Sequence, residues 1–166
     1  MHRRFAALAL GSAVVLAGCG FALRQAPHFA FESLYVSTGP SSTLGNALKR
    51  SLASNAQVKL VTDAKDAATA QAVLDIVQDQ TDEVIIGKNS AGQVVELKLR
   101  HRVRFKLHTP AGKELIPESE LLLQRNVSFT ESAALAKEAE KNFLYRDMLA
   151  DMVQQLQRRL AAVSAV

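Results

Sequence analysis

The chain has 166 residues, 48% hydrophobic and 22% charged, with 20 lysines and arginines against 16 acids and a single cysteine. That length carries one hydrophobic core, and the composition excludes wholesale disorder and low-complexity architecture. One cysteine excludes an internal disulfide and a cysteine-based zinc site, and the formal net charge of +4 is mild.

Met1-His2-Arg3-Arg4 precedes an uncharged, apolar run from Phe5 to Gly18, the layout of a secretory signal. The run is too short for a spanning helix, which takes roughly 20 apolar residues. Leu16-Ala17-Gly18-Cys19 resembles a bacterial lipobox. The Cys19 thiol then receives a diacylglycerol, and cleavage leaves Cys19 as the new N-terminus. Residues 1–18 are therefore expected to be a removed signal peptide, 19–32 a lipidated tether and 33–166 a single α/β domain. Several acyl chains hold a protein stably on a bilayer, at ~0.8 kcal/mol per buried methylene. Gly20, not an aspartate, follows the cysteine, which fits transfer to the outer membrane. Discarding the signal removes Arg3 and Arg4 and halves the net charge, so overall charge makes no case for a polyanion ligand.

After the tether, Ser33–Ser37 is β-prone and ends at the turn cluster Thr38-Gly39-Pro40. Ser41 or Ser42 can cap a helix with apolar residues at Leu44, Ala47, Leu48 and Leu52, stopping near Asn55. Val58–Val61 reads as a second strand, and Asp63–Ala70 as a connector with room for a helical turn. Gln71–Ile86 and Val94–His108 form a hairpin around a turn at 87–92. Its second arm alternates: Val95, Leu97, Leu99, His101, Val103, Phe105 and Leu107 point one way, Lys98, Arg100, Arg102, Arg104 and Lys106 the other. A turn at Pro110-Ala111-Gly112 leads to a last strand at about Glu120–Phe129. From Ser132 to Val163 there is neither Gly nor Pro, and the apolar spacing predicts a long amphipathic helix. The order predicts an α+β fold, a small mixed sheet of four to five strands with two helices packed on one face.

No catalytic constellation emerges. His101 and His108 fall on opposite faces of one strand and cannot share a metal. The chain has no nucleophile elbow, phosphate-cradling glycine loop or zinc-protease helix. Asp75, Asp79, Asp82 and Glu83 cluster without a partner base, which is weak ground for catalysis. His101 reads as a hydrogen-bonded core histidine. The expectation is no enzyme, no cofactor and no metal.

The cations of the second arm line one face over about 26 Å at ~3.3 Å per residue. Two readings stay open. Arginine and lysine suit an anionic, phosphate-bearing ligand. Alternatively, a hairpin symmetric about residues 89 and 90 sets Asp79 against Arg100 and Asp75 against Arg104 as ordinary cross-strand pairs. That register leaves Lys98, Arg102 and Lys106 without an acid opposite, and a one-residue slip cancels it. Nucleic acid is a poor ligand for this strip, because Phe105 points away from it.

Cys19-Gly20-Phe21-Ala22-Leu23-Arg24 resembles the start of mature members of the lipopolysaccharide-assembly lipoprotein LptE family. Ala134-Leu135-Ala136-Lys137-Glu138-Ala139-Glu140 resembles a second stretch of that family. The resemblance implies a two-layer α/β sandwich. It further implies an outer-membrane lipoprotein that plugs the LptD β-barrel, assists its assembly and helps deliver lipopolysaccharide to the outer leaflet. Family residues thought to contact lipopolysaccharide carry over to Lys137 and, loosely, to Lys88 at the hairpin. Lys98, Arg102 and Lys106 are then candidates to meet phosphates of the same glycolipid. The alternative is a structural envelope lipoprotein that binds another envelope protein or peptidoglycan without touching glycolipid.

Overall fold

The computed structural model describes residues 28–54, 58–129 and 134–164. The signal peptide, Cys19, most of the tether and the helix stop at Asn55 lie outside the described residues.

Five strands follow one another as β1 (Ser33–Ser37), β2 (Lys59–Val61), β3 (Ala72–Lys88), β4 (Val94–His108) and β5 (Glu114–Ser128). Helix α1 (Thr43–Ala53) connects β1 to β2, a short 3-10 helix (Ala64–Thr69) leads into β3, and helix α2 (Ala134–Ala161) comes last. Strand order is β2-β1-β3-β4-β5. β1 runs parallel to both neighbours, whereas β3-β4 and β4-β5 are antiparallel. The fold is α+β, with a mixed sheet and two main helices, as the sequence predicts.

Local chemistry explains each boundary. Ser42 caps α1, its Oγ accepting from the Gly45 N–H at 2.9 Å. Gly45 is small by necessity, since a Cβ there would collide with the Thr38 side chain. Leu44, Leu48 and Leu52, four residues apart, are fully buried. On α2, Met148, Met152, Leu156 and Leu160 repeat the same spacing and are equally buried. Both stripes meet Leu34, Val36, Leu74, Val103, Phe105 and Leu107 in one core. Each such aliphatic side chain stabilises the fold by roughly 1.5–3 kcal/mol. A satellite cluster of Leu99, Val127 and Met148 continues the core toward the hairpin. Along β4 burial alternates at every residue from Leu97 to His108, so the sheet has a helix face and an open face.

The structure corrects three boundaries. β5 begins at Glu114 rather than Glu120, because Pro117 sits in an edge strand, where a missing N–H costs no ladder bond. β3 runs on to Lys88. The turn tightens to 89–92, where Gly92 takes φ 79° and donates to Asn89 O at 2.9 Å. β2 starts one residue late, at Lys59.

The symmetric hairpin register is also overturned. Asn89 N donates to Gln93 O at 2.9 Å, and Asn89 Oδ1 accepts from the N–H groups of Ala91 and Gln93. That side chain centres the turn on Ala91, past the symmetric position. Asp82, not Asp79, then faces Arg100, while Asp79 faces Val103. A bulge at Val77 shifts the pairing once more. Beyond it Asp75 stands opposite Lys106, not Arg104.

Candidate functional site

Every cation of β4 lies on the open face, as the alternation requires. Four of the five meet a carboxylate there. Arg100 Nε donates to Asp82 Oδ1 at 2.6 Å, and this hydrogen bond raises the arginine further above its ordinary value. Lys106 Nζ is 3.6 Å from Asp75. Arg104 reaches Glu118 at 3.3 Å and Arg102 reaches Glu120 at 3.7 Å. The last two acids come from β5, whose register the sequence left unread. Arg102 and Lys106 are therefore not partnerless, contrary to the symmetric register. Lys98 stands between Val84 and Asn126, and among the described residues it makes no ion pair.

The hairpin end gathers three of the five candidate lysines and arginines. Lys98 pairs in register with Asn126 on β5, two residues before Ser128. Ser128 Oγ accepts from Lys137 Nζ at 3.0 Å, so α2 sets Lys137 at the same end of the sheet. Lys137 also donates to Glu140 Oε2 at 2.7 Å, the pairing within its own helix that a surface lysine makes. Lys88 closes β3 opposite Val94 and is exposed. Arg102 and Lys106 lie further along β4, the latter about 26 Å from Lys98 at ~3.3 Å per residue. Apolar surface also lies toward this end: Ile85, Ile86 and Val95 of the hairpin and Leu135 and Phe143 of α2 are exposed, with Ile85 and Val95 on the face opposite to Lys98. Sequence periodicity could not foresee this, since it depends on where α2 starts over the sheet.

On the helix face, His101 is 3% exposed and its Nε2 donates to Asp79 Oδ1 at 2.8 Å. A carboxylate only accepts, so the ring hydrogen sits on Nε2. The expected core histidine is there, with a partner the register had hidden. Arg125 reaches Asp151 at 2.7 Å and Asp147 at 3.8 Å. Lys141 is held above its ordinary value by hydrogen bonds to Glu138 and Glu83. Tyr145, raised chiefly by burial, donates to the Asp82 carbonyl at 3.3 Å. These contacts clamp α2 across β3 and β5. Among the described residues no His, Cys, Asp and Glu group is arranged to hold a metal ion, and no helix is long and apolar enough to cross a membrane.

Comparison with known proteins now decides the family. The model described as "LptE: Lipopolysaccharide-assembly" matches residues 31–160. The chain belongs to the LptE family. Among its relatives, the LPS-assembly lipoprotein LptE of Yersinia pestis (strain Pestoides F) is 35% identical over 175 residues, 99% of this chain and 79% of that protein. The LptE of Yersinia pseudotuberculosis serotype O:1b gives the same figures. In structure the chain is similar to lipoprotein B from Nitrosomonas europaea, solved by NMR. The TM-score is 0.73 at 33% identity, covering 86% of this chain and 91% of that one. The rare lipoprotein B from Shewanella oneidensis shares the fold, with a TM-score of 0.65 at 24% identity over 78% of this chain and 94% of that one. The LptE family is one of assembly, not of catalysis, in keeping with the reading that the chain is no enzyme.

Proposed function

We propose that this LptE-family chain is an outer-membrane lipoprotein, anchored through acylated Cys19, that plugs and helps assemble the LptD β-barrel. In that position it binds lipopolysaccharide and helps its passage to the outer leaflet. The observation that carries the ligand half is the placement of Lys88, Lys98 and Lys137, from three separate elements, toward the hairpin end of a sheet that also exposes apolar side chains there. Point cations with a neighbouring apolar surface suit an amphiphile whose head carries phosphates. The names of the Yersinia relatives support the same role.

Arg102 and Lys106 are the secondary contacts in this reading. Their carboxylate partners are half-exposed, and such surface pairs are worth about 0–1 kcal/mol. A phosphate can displace them. The pairing of four strip cations favours the alternative, a structural lipoprotein without glycolipid contact, for the middle of the strip. It does not touch the lysines at the hairpin end.

For the barrel half, the supporting feature is a polar exterior around a compact core. The open face balances its charges internally, so it can lie against a polar lumen wall without net repulsion. Affinity purification of the lipidated protein from detergent-solubilised membranes tests it. A stable one-to-one complex with a large β-barrel is the expected result. Recovery alone, or with peptidoglycan, contradicts the plug.

A further inference from the structure

Between the first turn of α1, the middle of α2 and the helix face lies a cleft of about 460 Å³. Its floor is Asp79 and Thr81 of β3 with His101 of β4. Sequence creates it. From Gln78 to Glu83 no side chain is apolar, so this part of β3 is polar on both faces and gives the helices no apolar side chain to pack upon. The size falls within the ~300–1,000 Å³ typical of small-molecule sites.

The lining is specific in its chemistry. His101 holds Asp79 through one carboxylate oxygen, which fixes the rotamer and leaves the second oxygen to accept. Among the described residues the Thr81 hydroxyl, the Asn142 amide and the Arg146 guanidinium make no hydrogen bond or ion pair, and all three line the cleft. The set thus offers a carboxylate that only accepts, a guanidinium that only donates, and two groups that do both. A simple anion is disfavoured by Asp79 in the floor. Vicinal hydroxyl groups, each both donor and acceptor, match the whole set.

We propose that this cleft is a saccharide subsite that takes a hydroxyl-rich sugar ring through Asp79, Thr81, Asn142 and Arg146. The inference rests on the glycolipid reading above for the source of the sugar, and it uses none of the lysines of the hairpin end. It is tested on the lipidated full chain in detergent, by chemical-shift mapping with core oligosaccharide freed of lipid A. Saturable shifts at Ser42, Thr81 and Tyr145 are expected. Arg146→Gln and Asn142→Ala, both at exposed positions of α2, are expected to weaken that binding about tenfold each. Absence of saturable shifts, shifts unchanged in both variants, or the same shifts with inorganic phosphate would overturn the subsite. A chain carrying Lys88→Gln, Lys98→Gln and Lys137→Gln separates the two ideas. It keeps the oligosaccharide shifts if the cleft is the sugar site, whatever its affinity for intact lipopolysaccharide.

Discussion

His101 and Asp79 lie 22 positions apart, and the imidazole Nε2 donates to the carboxylate at 2.8 Å on the face of the sheet that the helices cover. The histidine side chain is 4% exposed and the aspartate 28%. A polar pair therefore stands where the neighbouring positions of β4 carry Leu99 and Val103. Removing only one member leaves a buried polar group unmet. Asp79→Ala is expected to destabilise the fold by about 1–3 kcal/mol. The double change Asp79→Val with His101→Leu should cost less than the two single changes added together. Urea unfolding of the four proteins measures the coupling, and strict additivity would show that the hydrogen bond contributes nothing.

Burial and surface charge differ in weight. Leu156→Ala removes a fully buried side chain from the α2 stripe and is expected to cost about 2–5 kcal/mol. Asp82→Asn breaks the shortest ion pair of the open face, yet both partners are about one-third exposed, so the expected loss is small beside that of Leu156→Ala. Equal losses in denaturant melts would contradict this division.

Alkali should loosen α2 first. Lys141 is raised above 10.5 by Glu138 and Glu83, and Tyr145 is raised above 10.0 chiefly by burial. In both, the folded chain holds its proton more tightly than the unfolded chain. The stability they contribute is whole below the unfolded values and drains as pH rises through the folded ones. Melting temperature is expected to fall above about pH 10, and less steeply in Lys141→Gln. Parallel curves for the two proteins would contradict the linkage.

Gly92 closes the hairpin turn with φ 79°. Gly92→Ala places a Cβ in the left-handed region at a cost of about 1–2 kcal/mol. Nothing lies within 4 Å of the added atom, so backbone strain alone carries the effect. Thermal melting reads it, and an unchanged midpoint would mean the turn relaxes freely.

Much of this was legible in the residues. The alternation of β4 gave its limits to the residue, the leucines of α1 gave its buried stripe, and the cap was narrowed to Ser41 or Ser42, of which the structure takes Ser42. Register was not legible. It turns on an Asn89 side chain that recentres the turn and on one extra residue at Val77, and neither leaves a trace in hydrophobic periodicity. The same blindness hid Glu118 and Glu120, which reach the strip from an edge strand read six residues too short. Lys137 was found by resemblance. Its hydrogen bond to Ser128 of β5 follows from how α2 packs on the sheet, a tertiary fact that local pattern cannot carry.

In the proposed role the lysines of the hairpin end hold lipopolysaccharide. Its most direct test is the affinity of purified lipopolysaccharide for the lipidated chain carrying Lys88→Gln, Lys98→Gln and Lys137→Gln, beside the unchanged chain, at low salt. Charge-assisted contacts are worth about 1.5–3 kcal/mol each when desolvated, so a loss of at least about tenfold is expected, with the melting temperature nearly unchanged. Equal affinity of the two chains would contradict the account.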